Sequence, residues 1–139
     1  MNVKIADVMT SNVLTAQPHH SVAHVRKLMQ TNGIHALPVV STDDEVAGIV
    51  SSHDLVGDHK DHAPVSGIMA RDVYTIPQYN DVHHAARLMR NHRIHHVVVT
   101  HEKKVVGILS AFDLLALVED HRFVMKPAPQ PKKKSPRRQ

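Results

Sequence analysis

The chain has 139 residues, enough for one compact domain or for two small halves that share a core, and 42% of them are hydrophobic. It contains no cysteine, which excludes disulfide and thiolate chemistry. The net charge of +4 comes from residues 126–139, which hold six Lys and Arg and no acid, so residues 1–125 carry −2 and no basic nucleic-acid-binding domain is expected. Because the apolar runs are shorter than the roughly 20 residues of a membrane span and the N-terminus does not resemble a secretory signal, we expect a soluble cytoplasmic protein without a membrane span.

The first half of the chain predicts the order β-α-β-β-α. Residues 13–15 are β-prone, Ser21 occupies an N-cap position, and the apolar positions that follow recur at helical spacing up to a C-cap at Gly33. Residues 37–40 and 45–50 then predict a hairpin, and a second helix is expected after Ser51.

The second half repeats this pattern, because residues 8–40 align with residues 68–100 at an offset of 60 positions. Residues 73–75 correspond to the first strand, Asp81 to the N-cap, and residues 91–93 to the end of the helix. The hairpin is predicted at residues 97–100 and 104–109, and its loop is one residue shorter than that of the first copy.

We therefore predict two repeats, at residues 5–57 and 66–119, joined by a polar linker at residues 58–65. The proline-rich basic tail, residues 126–139, cannot bury enough apolar surface to offset the entropy of ordering, so we expect it to be disordered.

A turn with the pattern Gly-x-x-Ser-x-x-Asp ends the hairpin of each repeat. Its polar residues are Ser51 and Asp54 in the first repeat and Ser110 and Asp113 in the second. Such a turn suits a nucleotide, because the amides and the hydroxyl favour an anion and a carboxylate can accept from two ribose hydroxyls. The alternative is a helix cap alone, since Ser and Asp are common at helix starts for that reason. The turn by itself leaves both readings open.

The order and repetition of these motifs resemble a tandem pair of cystathionine β-synthase (CBS) domains, the Bateman module. The resemblance covers residues 5–119, and it is carried by residues 8–10 and 68–70, by Ile34-His35-Ala36-Leu37-Pro38-Val39-Val40 and by the two turns. It implies an α+β fold of two β-α-β-β-α repeats packed about a pseudo-twofold axis, with two clefts between them and a tendency to form homodimers.

The resemblance also implies a ligand and its binding residues. Similar proteins bind AMP, ADP, ATP or S-adenosylmethionine, with the turn aspartate on the ribose. The residues that this implies here are Thr15, His35, Ser51, Asp54, Thr75, His95, His96, Ser110 and Asp113. The chain departs from the pattern after the histidine, where phosphate-binding relatives often have Arg and this chain has Ala36 and His96. An imidazole attracts phosphate more weakly than a guanidinium and in a pH-dependent way, so we expect ligand first where His95 and His96 meet the second turn.

The remaining signals are weaker. His20 with His24, and His92 with His96, have the i, i+4 spacing of helical metal ligands, but no recognisable ligand set is complete and we assign no metal. No catalytic triad, carboxylate pair or P-loop has usable spacing, so we expect no enzyme. The basic tail could contact nucleic acid or an anionic surface, although no aromatic residue accompanies its charges.

The sequence thus favours a regulatory sensor that binds an adenine nucleotide and acts on an effector protein that the chain does not reveal. The alternative is an interaction protein without a ligand, which acts through dimerisation and its basic tail.

Overall fold

The computed structural model describes residues 2–120, so the predicted disordered tail lies outside the described residues. The helices are α1 (Ile5–Val8), α2 (Val22–Asn32), α3 (Val82–His92) and α4 (Ala111–Asp120). The strands are β1 (Thr10–Ser11), β2 (Ala36–Val40), β3 (Val46–Ser51), β4 (Thr75–Pro77), β5 (His96–His101) and β6 (Lys104–Ser110). Short 3-10 helices cover Ser52–Leu55 and Val65–Gly67. Within the described residues, no helix has the length and apolar character needed to cross a membrane.

The central helices of the two repeats begin and end close to the predicted positions. Ser21 caps α2, with its Oγ accepting a hydrogen bond from the His24 amide at 3.0 Å. Gly33 (φ 62°) and Arg93 (φ 54°) end α2 and α3 in the left-handed conformation. Asp81 precedes α3 but its side chain does not cap the helix, because the carboxylate binds Lys4 Nζ at 2.9 Å instead. The capping role predicted for Asp81 is therefore wrong.

The two predicted hairpins are confirmed, with every strand end within one residue of its predicted position. Strands β2 and β3 pair antiparallel, as do β5 and β6. The second hairpin belongs to a four-stranded sheet with the order β1-β6-β5-β4, whereas β2 and β3 form a two-stranded sheet. The α+β fold of two repeats is thus confirmed.

The first strand of each repeat differs from the prediction. In the second repeat, the strand is Thr75–Pro77 rather than 73–75, and the Gln78 amide extends its pairing by donating to the Thr100 carbonyl at 2.9 Å. In the first repeat, only Ala16 forms a bridge, to Val39. The position equivalent to Gln78 is Pro18, which has no amide hydrogen to donate, so the first repeat cannot extend the same ladder.

The helix predicted after Ser51 is also shorter than expected. The chain forms a single 3-10 turn, Ser52–Leu55, and then leaves the repeat at Gly57, whose φ of 118° only glycine adopts readily. After Ser110 the apolar run Leu114-Leu115-Ala116-Leu117-Val118 sustains the α-helix α4. The two repeats therefore end differently although their turns match.

The segment that leads into each repeat packs on the other repeat. Strand β1 pairs with β6, and Ala70 bridges Ile49 in β3. The side chain of Ile5 is fully buried in the core of the second repeat. Val65, which precedes the second repeat, is fully buried in the core of the first. The two repeats are thus held together by an exchange of their lead segments.

Candidate functional site

Two of the clefts between the repeats, in the described part of the chain, contain the repeated Ser-x-x-Asp turns. The large cleft has a volume of about 990 Å³, and residues 10–14 and 32–36 of the first repeat form one wall. Its opposite wall comes from the second repeat, with His95, His96, Ile108 and the turn at residues 110–113. The large cleft therefore requires both repeats.

The small cleft has a volume of about 430 Å³ and is built from the equivalent positions with the repeats interchanged. The first repeat supplies Ser51 and Asp54, and the second supplies residues 72–74 and 93–96. Each cleft thus combines the Ser-x-x-Asp turn of one repeat with the first-strand region of the other. This arrangement follows from the exchange of lead segments, which places residues 10–14 beside the second hairpin.

The turn of the second repeat is held by reciprocal hydrogen bonds. The Ser110 amide donates to Asp113 Oδ2 at 2.8 Å, and the Asp113 amide donates to Ser110 Oγ at 3.0 Å. In the first repeat the Ser51 amide donates to Asp54 Oδ2 at 2.8 Å, and the Ser51 hydroxyl approaches the same oxygen at 3.1 Å. The cap anticipated from the sequence is therefore present in both turns.

The second oxygen of each turn carboxylate stays available. Among the described residues, none donates a hydrogen bond to Oδ1 of Asp54 or Asp113. Each carboxylate can therefore fix its own turn through Oδ2 and still accept hydrogen bonds from a bound diol through Oδ1. The cap and the ligand-binding role that the sequence left open are compatible with each other.

Seven of the nine residues implied by the resemblance line these clefts. Ser110, Asp113 and His35 line the large cleft, and Ser51 and Asp54 line the small one. His95 and His96 line both clefts, so they lie at the boundary between them.

Thr15 and Thr75 are the two implied residues that the structure does not bring to either cleft. Thr75 begins β4, pairs with Val98 at the edge of the four-stranded sheet, and lines a separate depression with Pro77 and Tyr79. Thr15 lies beside Ala16, which binds β2 on the equivalent side of the first repeat. In each repeat, it is the residues before the threonine that reach a cleft.

One of the histidines at the boundary, His96, carries little positive charge near neutral pH. Burial lowers the pKa of His96, and the neighbouring His95 lowers it further, while Asp113 acts in the opposite direction. His35 makes a smaller contribution that also lowers this pKa. The His96 imidazole is therefore mainly neutral at pH 7.

Several residues that distinguish the clefts were missed by the sequence analysis. Phe112 and Leu14 line the large cleft, where the equivalent positions of the small cleft hold His53 and Tyr74. The Tyr74 ring stacks on His92 with a centroid distance of 4.1 Å, which fixes it at the wall of the small cleft. Arg93 lines the small cleft at the position of Gly33 in the large one. The alignment of the repeats, with an offset of 60 positions before the hairpin loop and 59 after it, could have found these differences.

One group of side chains outside the clefts has spacing suited to a metal. The ligand atoms of Asp81, His83 and His84 lie within 4.8 Å of one another at the start of α3. The Asp81 carboxylate already forms an ion pair with Lys4, and both histidines are exposed. His20 and His24 have ring centroids 4.7 Å apart, but His20 Nδ1 accepts a hydrogen bond from the Gln17 amide. We assign no metal to either group.

Comparison with known proteins identifies both repeats. The family model described as CBS domain matches residues 5–58 and 65–120. In structure, the chain is similar to the CBS domain pair of protein MJ0100, crystallised in complex with 5′-methylthioadenosine and S-adenosyl-L-methionine. That similarity has a TM-score of 0.79 at 26% identity, and it covers 86% of this chain and 98% of the other.

Sequence relatives differ in how much of their length they share with this chain. Homoserine O-acetyltransferase of Methanosalsum zhilinae is 29% identical over 123 residues, which are 87% of this chain but 25% of that enzyme. An uncharacterised 17.7 kDa protein of Acidianus ambivalens is 28% identical over 138 residues, 95% of this chain and 84% of that protein. The chain therefore spans about a quarter of the enzyme and most of the smaller protein.

Proposed function

Because this chain belongs to the CBS domain family, we propose that it is a non-enzymatic regulatory protein whose large cleft binds an adenosine-containing small molecule. AMP, ADP, ATP and S-adenosylmethionine are the ligands to consider. One observation carries the proposal: Asp113 caps its own turn through Oδ2 and leaves Oδ1 available at a cleft of about 990 Å³. A carboxylate oxygen in that setting is suited to accept from the two hydroxyls of a ribose.

The size and chemistry of the large cleft support the proposal. Ligand pockets of small molecules typically measure about 300–1,000 Å³ and combine apolar walls with a few polar groups. The apolar residues here are Val13, Leu14, Ile34, Ile108 and Phe112. The complex of MJ0100 with two adenosyl compounds supports the same class of ligand.

Regulation would arise because each cleft has one wall from each repeat. A ligand that contacts both walls favours the arrangement of the repeats in which it binds best, and it shifts the population toward that arrangement. An effector that recognises one arrangement would then respond to the ligand concentration.

We also propose that the chain forms a homodimer through α4. Phe112, Leu115 and Val118 are 78%, 57% and 53% exposed along this helix. Val56, which is equivalent to Leu115, is 75% exposed in the first repeat. Apolar side chains at matching positions of both repeats fit a second copy, because a twofold interface must complement itself. In sedimentation velocity Leu115→Glu should shift the protein toward monomer, and the control Thr42→Glu, at an exposed position of the loop between β2 and β3, should not; a wild-type monomer at all concentrations would contradict the proposal.

Titration calorimetry on the full chain tests the ligand. We expect at least one of adenosine, AMP, ADP, ATP, NAD and S-adenosylmethionine to release or absorb heat and to raise the melting temperature. Asp113→Asn keeps an acceptor for the turn but removes the charge, and it should weaken binding about tenfold or more, since hydrogen bonds to charged groups contribute about 1.5–3 kcal/mol.

The matched control is Asp54→Asn, which changes the small cleft and should leave the affinity of the large cleft within about twofold. The absence of heat and of thermal stabilisation for all six compounds would contradict the proposed function. An affinity that survives Asp113→Asn unchanged would contradict the site alone.

A further inference from the structure

We propose that the large cleft selects adenosyl compounds without a phosphate, such as adenosine and its 5′-thioethers, over AMP and ATP. This inference rests on the proposed function, because it narrows the ligand class of the same site. It is carried by the charges, the amides and the apolar surface around the Ser110 turn.

The charges that line the large cleft do not suit a phosphate. Among the described residues that line it, the ionisable ones are Asp113 and three histidines, and none is Lys or Arg. A phosphate group would therefore lie in a cleft with a carboxylate and without a permanently charged cation. Burial and the adjacent His95 lower the pKa of His96, so its imidazole does not supply the missing charge at neutral pH.

Three of the amides around the start of α4 are also occupied. A helix N-terminus binds an anion through amides that lack an intrahelical partner. Here the Ser110 amide donates to Asp113 Oδ2 at 2.8 Å, and the Asp113 amide donates to Ser110 Oγ at 3.0 Å. The Ala111 amide donates to the His95 carbonyl at 2.8 Å. The amides of Ser110, Ala111 and Asp113 are thus used within the protein, and a phosphate could not recruit them without breaking these bonds.

The apolar surface gives a neutral 5′ group a favourable environment. Leu14 and Phe112 face the large cleft while they remain 37% and 78% exposed. A methylthio group that covered such side chains would gain about 25 cal/mol for each Å² of apolar surface removed from water. A phosphate in the same position would instead lose hydration without a charged partner.

The small cleft shows what the large cleft lacks. Arg93 lines it at the position equivalent to Gly33, and both residues end their helices in the left-handed conformation. A Cβ built on Gly33 would have no atom within 4 Å, so a side chain at this position meets no obstacle at its first carbon. The comparison of the two repeats thus identifies position 33 as the place where a cation can be added to the large cleft.

The experiment compares 5′-methylthioadenosine, adenosine and AMP by calorimetry on the full chain in an Asp54→Asn background, which weakens the small cleft. We expect the two phosphate-free compounds to bind about tenfold or more tightly than AMP. Gly33→Arg should reduce that ratio about fivefold or more by strengthening AMP binding, since one nearby charge pair at a partly exposed site contributes on this scale. Gly33→Ala carries the same backbone strain without the charge and should leave the ratio unchanged.

The outcomes separate this inference from the proposed function. If AMP binds as tightly as adenosine, or if Gly33→Arg changes the ratio no more than Gly33→Ala does, the inference is overturned while the proposed function stands. If none of the three compounds binds, the inference fails, and the proposed function fails with it only when ADP, ATP, NAD and S-adenosylmethionine also give no heat and no thermal stabilisation. Should Gly33→Arg not fold by its thermal melt, Asn32→Lys places an amine at the same rim, with Asn32→Gln as its control, and is subject to the same two outcomes.

Discussion

In each turn the carboxylate uses only one of its two oxygens within the protein. Oδ2 of Asp113 accepts from the Ser110 amide and fixes the start of α4, whereas Oδ1 has no donor among the described residues. The same division holds for Asp54. Sequence reasoning identified both residues because the Ser-x-x-Asp spacing is fixed by the cap. It could not tell a cap from a ligand site, since that distinction depends on which oxygen is used.

Other site residues were missed because no local pattern marks them, although the alignment of the two repeats shows where they differ. Arg93 was read only as part of a helix end, yet its left-handed conformation turns it toward the small cleft. Phe112 sits between the serine and the aspartate of the turn, and its exposure on α4 depends on the helix that follows. Such roles arise from contacts between the repeats, which the spacing within one repeat does not encode.

The half-buried imidazole of His96 makes the stability of the protein sensitive to acid. Its pKa in the folded state lies below the ordinary value of 6.5, so below that pH the unfolded chain takes up a proton that the folded chain resists. The stability contributed by neutral His96 is therefore complete above pH 6.5 and is lost as the pH falls below it. His96→Gln should reduce the drop in melting temperature between about pH 7.5 and about pH 5.5.

In His96→Gln the drop in melting temperature should become smaller but not vanish, because burial also lowers the pKa of His20. His62 is exposed in the linker, and His62→Gln should leave the wild-type pH dependence in place. Identical pH profiles for wild type and His96→Gln, measured by thermal melts in one buffer series, would show that this account is incorrect.

At the scale of the elements, two glycines allow the lead segments to lie against the hairpins. A Cβ on Gly107 would lie 2.7 Å from Met9 Sδ and 2.8 Å from the Thr10 carbonyl oxygen. A Cβ on Gly48 would meet Met69 and the Ala70 carbonyl at similar distances. The sequence marked these glycines as the first residues of the repeated turn. It did not reveal that each glycine leaves room for the backbone segment that leads into the other repeat.

Gly107→Ala should therefore push β1 away from β6 and destabilise the fold. We expect a loss of about 1–3 kcal/mol in the free energy of unfolding, as for other substitutions that overpack a close contact. Gly67→Ala is the matched control, because a Cβ there has no atom within 4 Å, and it should stay within about 0.5 kcal/mol of wild type. Urea denaturation measures both, and equal midpoints for the two variants would contradict the close contact.

The elements that deviated from prediction did so through single residues. Pro18 lacks the amide hydrogen that Gln78 uses to extend its strand. Gly57 takes the chain out of the first repeat after a single 3-10 turn, whereas the equivalent segment of the second repeat continues as α4. The hairpins and central helices were predictable because hydrophobic periodicity and caps determine them locally. The first strands were not, because their length depends on pairing with distant residues.

At the scale of the whole molecule, the sequence repeat differs from the packing unit. Ile5 opens the first sequence repeat, but its side chain is buried with Ile76, Val97 and Leu109 of the second. Val65 is buried with Val25, Val39 and Val50 of the first. A repeat cut at its sequence boundaries would therefore lose part of its own core and keep a segment that belongs to its neighbour.

Ile5→Ala should consequently destabilise the second repeat, although Ile5 belongs to the first repeat in sequence. Removal of a buried isoleucine side chain costs about 2–5 kcal/mol. Hydrogen exchange should show a larger loss of protection in β5 and β6 than in β2 and β3, and Val65→Ala should show the reverse. A uniform loss of protection in both variants would mean that the repeats do not open separately and would refute the prediction.

The exchanged lead segments also set an order for folding during synthesis. Residues 3–6 find their backbone partners at residues 78–82, and Thr10 and Ser11 pair with β6, which ends at Ser110. The first repeat depends on residues 63–70, so it can complete its core before the second hairpin is made. During synthesis Thr10 and Ser11 must therefore stay unpaired until β6 has left the ribosome, and the core of the second repeat is completed after that of the first.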